Sequence, residues 1–310
     1  MSFEGKRDYI TVIGGANVDI KGRSFDVLKM GTSNPGAINI SPGGVGRNIA
    51  HNLSLLNIPV ILLTCIGKDL FGRMVYEETE KAKVNMEHVK VSKERTGVYL
   101  AILNEKGEME VALSDMRILE EVDLSYIEEK MDVIKGSKIV VLDTNLNTNI
   151  IELVVNLCND RNIPVVVDPV SYEKAKKIKG LVHKIDYLIP NKRELFSIVN
   201  NEREDIITAV HELKSMGAKE VIVKLGEKGI FVSSENEFIP PIPYNVVDVT
   251  GAGDSFTAGF TYGVYHGYAI REAVMFGLAV SALTISTPYS VYPELSEEKI
   301  KKFLGEVFER

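Results

Sequence analysis

Seven residues combine the groups that phosphate chemistry needs. Asp248-Val249-Thr250-Gly251-Ala252-Gly253-Asp254 runs directly into Ser255-Phe256-Thr257-Ala258-Gly259-Phe260, a small-residue apolar stretch that reads as a buried helix. Gly251, Ala252 and Gly253 therefore fall at a helix N-terminus, where unpaired backbone N–H groups collect and the helix dipole adds partial positive charge. Side chains this small let an anion approach those groups closely. Asp254 follows at once. A carboxylate beside an anion site is unfavourable unless it has a task, and taking the proton from a hydroxyl that attacks phosphorus is such a task. An ordinary helix entry, with Asp as cap and Gly as turn residue, explains each residue singly. The combination favours a phosphate site.

Other polar residues fall where strands end. Tyr9 to Ile13 is a short apolar strand stopping at Gly14-Gly15, and Asn17 and Asp19 follow at alternate positions, facing the same way in an extended segment. Beyond the carboxyl end of a parallel strand is where α/β ligands bind; an Asx-rich turn is the equally weighted alternative. Ser41-Pro42-Gly43-Gly44-Val45-Gly46-Arg47-Asn48 leads into a helix from Ile49 to Leu56, with Asn48 turned inward. It lacks the last glycine of the dinucleotide fingerprint, and no P-loop occurs. Val165 to Val167 ends in Asp168. Asn191 and Glu194 stand three apart at a helix start and can share one side of its first turn, although an acidic residue there also suits the helix dipole alone. Lys224 and Gly226 close a further strand; Lys224 reads either as a phosphate contact or as a solvated strand-end lysine.

The elements that must position these groups alternate. Strands at 60–67, 139–142, 165–169, 187–190 and 221–226 are separated by helices such as Ile150 to Asp160 and Ile206 to Met216, the latter closed by Gly217. Such alternation predicts an α/β fold with a mainly parallel sheet covered on both faces, a three-layer α/β/α core. Thr96 to Leu113 reads as a hairpin turning at Asn104-Glu105-Lys106-Gly107; both of its faces carry apolar residues, so both should be covered. Ser296 caps an amphipathic C-terminal helix. No linker or repeat interrupts the chain, which reads as one domain over 1–310.

Composition narrows the function classes. With 36 Lys and Arg against 43 Asp and Glu the net charge is −7, which argues against nucleic acid as a partner. Met1 to Asp8 is polar, without the apolar core of a signal peptide. The longest uncharged run, Ala273 to Pro293, is broken by Gly277, Ser281 and Pro288 and predicts a buried helix and loop, not a membrane span. Cys65 and Cys158 are isolated in apolar runs, as reduced core thiols of a cytoplasmic protein would be. The five His residues form no ligand-spaced pair.

The stretch 248–254 resembles the C-terminal signature of the ribokinase-like (phosphofructokinase-B type) sugar and nucleoside kinases, in the D-x-T-G-A-G-D spacing, and Gly43 to Gly72 resembles the N-terminal signature. The resemblance implies Asp254 as catalytic base and Gly251, Ala252 and Gly253 as the anion hole. It implies ATP and Mg²⁺ as cofactors, with Asp168, Asn191, Lys224, Gly226, Gly251 and Gly253 at the nucleotide and Glu194 acting on Mg²⁺ through water. Asp248 and Thr250 match positions whose oxygens hold a monovalent cation such as K⁺, although the loop Ser286 to Tyr292, which would add carbonyls, departs from the Gly-rich version. A small β-lid, formed by about 16–42 and 96–115, would close over the substrate and pair with another subunit's lid in a homodimer. Asn17, Asp19, Gly43, Gly44, Asn48 and Asn145 would hold sugar hydroxyls.

The segments Gly14 to Arg23, Thr32 to Gly36 and Ser41 to Ala50 look like the branch of this family that phosphorylates pseudouridine on its 5′-hydroxyl; Val45 stands where general ribokinases carry Lys. A nucleoside adds a flat polar base, for which Thr32, Ser33, Asn34 and Ser114 offer donors and acceptors and Met116 an apolar contact. Asn34 is the first choice for the extra ring N–H of pseudouridine; these residues also suit turns and backbone bonds. The alternatives are a kinase of another ribose-containing nucleoside or free sugar, and a non-catalytic ligand-binding regulator on the same scaffold. A nicotinamide oxidoreductase fits the α/β pattern but lacks the fingerprint.

Overall fold

A computed structural model describes residues 8–199 and 205–308; the polar N-terminal residues 1–7 lie outside them. The strands, in chain order, begin with β1 (Ile10–Ile13), β2 (Asn17–Ser24), β3 (Gly36–Gly43), β4 (Val60–Leu63), β5 (Cys65–Gly67) and β6 (Lys90–Ser92). They continue with β7 (Gly97–Leu103), β8 (Met109–Asp115), β9 (Ile139–Asp143), β10 (Val165–Asp168) and β11 (Tyr187–Leu188), and end with β12 (Glu220–Lys224), β13 (Ile230–Val232) and β14 (Glu237–Ile239). Eight of them form the main sheet, in the order β14-β13-β12-β11-β10-β9-β1-β4. Pairing is parallel from β4 to β12, and β13 and β14 add an antiparallel edge.

The apolar runs are explained by burial on both faces. Ile10 and Val12, with Ile139, Val141 and Val166, point into one core; Ile13, Val140, Leu142, Val165 and Val167 point into the other. The first core is closed by Leu53, Phe256, Phe260 and Val280 from the helices Val45–Leu55, Ala252–His266 and Ile270–Ile285. The second is closed by Ile151, Val154, Leu195 and Leu213 from Thr148–Asp160, Lys192–Val199 and Ile206–Ser215. Three α/β/α layers result. Among the described residues no helix is long and apolar enough to cross a membrane. Cys65 and Cys158 are free and buried, and burial pushes their thiols up to about 11 and about 12.

Two boundaries differ from the sequence reading. The strand expected at 60–67 breaks at Thr64, and Cys65–Gly67 leaves the main sheet to pair with β6. The helix expected from Ile49 starts at Val45, because Gly44, at φ 100°, turns the chain where a Cβ would lie 2.5 Å from the Gly15 carbonyl oxygen.

The hairpin lies outside the main sheet. With β2 and β3 it builds a separate four-stranded sheet, in the order β3-β2-β7-β8. Register sorts its faces: Asn17, Asp19 and Lys21 align with Ser41, Tyr99 and Ser114 on a polar face, and Val18, Ile20, Ile40, Leu100 and Leu113 share the apolar one. The apolar face is covered only at its inner end, where Val18 packs on Ile66 and Val75. Farther out it lies open, with Ile38 73% and Leu113 67% exposed. The expectation that both faces are covered therefore holds for part of one. We propose that a second copy of the chain covers the rest. Sedimentation should find a dimer at micromolar concentration, and Ile38→Arg with Leu113→Arg should give a folded monomer; a wild-type monomer would overturn the pairing.

Candidate active site

The functional side chains gather where the parallel strands end. β1 stops at Gly14-Gly15, β9 at Asp143, β10 at Asp168 and β12 at Lys224. Gly251 caps the helix Ala252–His266 in the left-handed region, at φ 78°, and a Cβ there would lie 2.1 Å from the Ser290 carbonyl oxygen. Only glycine fits. No side chain caps the first turn, which holds Asp254; the Ala252 N–H donates to the Val249 carbonyl at 3.2 Å.

Asp254 is held from the facing helix. The Asn48 amide donates to its Oδ2 at 2.8 Å, across 206 residues of sequence. Asn48 is buried, and its own oxygen accepts from Arg47 at 3.2 Å. Burial pushes the Asp254 carboxyl up to about 7, and the charge on Asp168 adds to the rise; the Asn48 amide and the Lys224 ammonium oppose it. A carboxylate tuned to neutral pH in the first turn of a helix can accept a proton under ordinary conditions.

Lys224 occupies the wall beside this turn. Its Nζ donates to Asp168 Oδ2 at 2.8 Å and lies 3.4 Å from where a Cβ on Gly253 would stand. Burial works against its charge, but Asp168, Glu194 and Asp254 outweigh burial and raise its pKa. Asp168 is engaged by the protein, accepting from Thr257 Oγ1 at 2.9 Å and from the Val170 N–H at 3.0 Å. Its placement is that of a clamp on Lys224 and on the helix. Gly226, at φ 61°, has open space beside it.

Asn191 and Glu194 form a reciprocal cap. Glu194 accepts from the Asn191 N–H at 2.8 Å and from its amide at 2.6 Å, while the Glu194 N–H donates back to Asn191 Oδ1 at 3.0 Å. The helix-start reading is thus present in full. It also leaves a buried carboxyl, pushed up to about 7 by burial, with Lys224 opposing and Asp168 adding to the rise.

The second sheet brings its polar face to the same edge. Asn17 donates to Asp19 Oδ1 at 2.6 Å, and a Cβ on Gly43 would lie 2.3 Å from Asp19 Oδ2. Burial raises the Asp19 pKa against Asn17, Lys21 and Arg47. Met116 stands close to Asn17 across Gly97, and Asn145 lines Gly15, its Oδ1 accepting from Lys174. Ser114 lies on the same face but exposed.

Thr32, Ser33 and Asn34 are not brought to this place. They follow the outer end of β2, seven residues from Asn17, about 20 Å at strand rise. Asn34 closes its own loop, accepting from the Lys29 N–H at 2.8 Å and donating to the Lys29 and Thr32 carbonyls. The assignment of these residues to a base is corrected on the ground of that distance, and the Asn34 amide serves the turn.

Two residues were missed. Asp143 accepts N–H donations from Gly15 at 2.7 Å, Gly46 at 2.9 Å and Asn145 at 2.9 Å; it carries the same strand-end signal as Asp168. Lys21 continues the alternation of Asn17 and Asp19 by one step. Its Nζ donates to Asp248 Oδ2 at 2.9 Å and to Thr250 Oγ1 at 2.6 Å. The oxygens expected to hold a potassium ion therefore already hold an ammonium, and a metal cation does not fit beside it.

Comparison with known proteins extends this geometry. The family model for pfkB family carbohydrate kinases matches residues 7–297. The chain is 35% identical to pseudouridine kinase of Escherichia coli (strain K12), with 94% of this chain and 95% of that protein covered. It is 29% identical to guanosine-inosine kinase of Exiguobacterium acetylicum, with 92% and 97% covered. The solved structure of Arabidopsis thaliana ribokinase complexed with ribose and ATP matches with a TM-score of 0.81 at 26% identity, covering 96% of this chain and 98% of that one. A family match that spans both glycine-rich stretches and nearly the whole chain leaves one conclusion: the chain belongs to the pfkB family of carbohydrate kinases, phosphotransferases with an alcohol group as acceptor.

Proposed function

We propose that this kinase transfers the γ-phosphoryl group of ATP to the 5′-hydroxyl of pseudouridine. One observation carries the chemistry: Asp254 is fixed by Asn48 at 2.8 Å in the first turn of a helix that no side chain caps. In the reaction Asp254 takes the hydroxyl proton, the freed oxygen attacks the γ-phosphorus, and the bond to the ADP oxygen breaks. The N–H groups of Gly251 and Gly253 stabilise charge on the transferred group, and that of Ala252 joins them on releasing the Val249 carbonyl, to which it donates at 3.2 Å. Lys224, Asn191 and Gly226 border the nucleotide, and Asp168 positions Lys224.

Magnesium fits here only as an ion carried on the phosphates. Among the described residues no cluster of three or more His, Cys, Asp or Glu could hold a metal, and Mg²⁺ bound largely through water and phosphate needs none. When bound it would neutralise phosphate charge; Glu194 would orient its waters.

Asn17, Asp19, Gly43, Gly44, Asn48 and Asn145 hold the ribose, and the small sheet acts as a lid. The nucleoside reading draws support from the polar lid face, where Tyr99 pairs with Asp19 on one side and Ser114 on the other, and from the identity to pseudouridine kinase. A base on that face meets a ring and hydroxyls; a free sugar would leave them unused.

Three measurements follow. ADP release should favour pseudouridine over uridine, guanosine, inosine and ribose in kcat/KM, and Asp254→Asn should lower turnover at least about a hundredfold with ATP binding kept. Preference for another nucleoside or ribose would move the substrate and leave the kinase; ADP release indifferent to Asp254→Asn would favour a regulator. The pH profile has a fixed sign. A carboxyl pushed up to about 7 becomes a base only as pH rises through that value, so kcat/KM should climb up to about tenfold per unit below it and level above; a flat profile from pH ~5.5 to ~8 would remove Asp254 as base. Finally, Glu194→Gln should raise the Mg²⁺ concentration for half-maximal rate, whereas a loss of melting temperature with unchanged Mg²⁺ dependence would assign Glu194 to the helix cap alone.

A further inference from the structure

We propose that Lys21 is a built-in replacement for a monovalent metal cation beside the anion hole, so that this kinase works without potassium. The inference rests on the kinase reading and adds a positioning residue to it. Lys21 belongs to β2 of the small sheet, yet its ammonium reaches across the cleft to the loop that opens the helix Ala252–His266.

The contacts are those a single positive charge would make. Lys21 Nζ lies 2.9 Å from Asp248 Oδ2 and 2.6 Å from Thr250 Oγ1. Asp248 Oδ1 accepts from the Thr250 N–H at 2.8 Å and from its hydroxyl at 2.7 Å. The charge is thus tied into the backbone one residue before Gly251. Burial works against the Asp248 charge, but the Thr250 donors and Lys21 outweigh it and hold the carboxyl below its usual range. Both ion-pair partners are largely covered, at 22% and 30% side-chain exposure. A metal cation bound to the same oxygens would stand against the ammonium at contact distance, where like charges repel. The surrounding loop agrees: the Val247 and Asp248 N–H groups donate to the Ile285 carbonyl, and Ser290 packs on Gly251.

The ammonium orders the Asp248–Thr250 turn, the turn sets Gly251 in its left-handed conformation, and Gly251 aims the first N–H groups of the helix. Because Lys21 is two residues beyond Asp19, the charge arrives with the strand that carries the sugar anchors.

The test compares wild type with Lys21→Ala in potassium, sodium and choline chloride at equal ionic strength. Wild-type kcat/KM should agree within about twofold in all three salts. Lys21→Ala should lose about tenfold or more in choline, as expected for losing a charged hydrogen-bond partner, and should recover in potassium. Thermal melting of the ligand-free proteins supplies a readout independent of catalysis: potassium should raise the melting temperature of Lys21→Ala and leave that of wild type unmoved. Strong potassium activation of wild type overturns the proposal, and needs no variant to fold. Lys21→Ala with full activity in choline, or with a loss that potassium does not restore, overturns it as well. Absence of ADP release from wild type in every salt would instead overturn the kinase reading, while the melting comparison still decides the fate of Lys21.

Discussion

The carboxylate of Asp143 is the constraint on which the site depends. It is buried at the end of β9 and binds backbone N–H groups of Gly15, Gly46 and Asn145, drawn from three separate segments. Burial raises its pKa; the Gly15 and Asn145 donors and the Lys174 charge oppose the rise. A buried carboxylate stripped of its donors is strongly destabilising, so the three segments are held to one geometry. That geometry excludes side chains nearby. A Cβ on Gly14 would lie 2.3 Å from Asp143 Oδ2, and one on Gly46 would lie 2.9 Å from Gly14. The glycines near the N-terminus leave room for the carboxylate first, and the approach of a ligand follows from that.

Around this fixed point the charges are arranged as alternating signs. Asp168, Glu194 and Asp254 surround Lys224, and Asp19 and Asp248 surround Lys21. Each lysine stands at the boundary between an acid that serves the fold and an acid that faces the cleft. Lys224 is clamped by Asp168 and Thr257 stabilises the clamp, so its charge cannot follow Asp254. Asp254 is left with one amide donor and a raised pKa, which is the state a general base needs.

Much of the fold was legible because burial on both faces writes continuous apolar runs: β1, β9 and β10 read directly as strands. The break at Thr64 was not, since apolar residues continue across it into a different sheet. Among site residues, Asp254 and its glycines were legible from local composition, but the Asn48 contact spans 206 residues and no spacing rule reaches it. Asp143 carried the same mark as Asp168, a carboxylate closing an apolar strand, and was passed over. Asn34 misled for a physical reason: its short amide satisfies the backbone of its own loop. Glu194 shows that two readings of one residue can share a geometry, because the cap that orders the helix also keeps the carboxyl in the low-dielectric wall beside Lys224.

The strand β2 joins these themes. Its side chains alternate with a period of two, so Asn17, Asp19 and Lys21 face the cleft while Val18 and Ile20 face away. A slip of one residue would turn all three polar groups out of the site at once and bury none of the apolar ones. The slip is opposed from both sides of the sheet. Val18 is locked against Ile66 and Val75 behind it, and opposite Asn17 only glycine fits, because the Asp19 carboxylate lies over Gly43. The small apolar cluster therefore helps set the register, and through it the places of Asn17, Asp19 and the Lys21 ammonium on the Asp248–Thr250 loop. In the proposed reaction, substrate recognition and the organisation of the phosphoryl site would be two consequences of one strand's alignment.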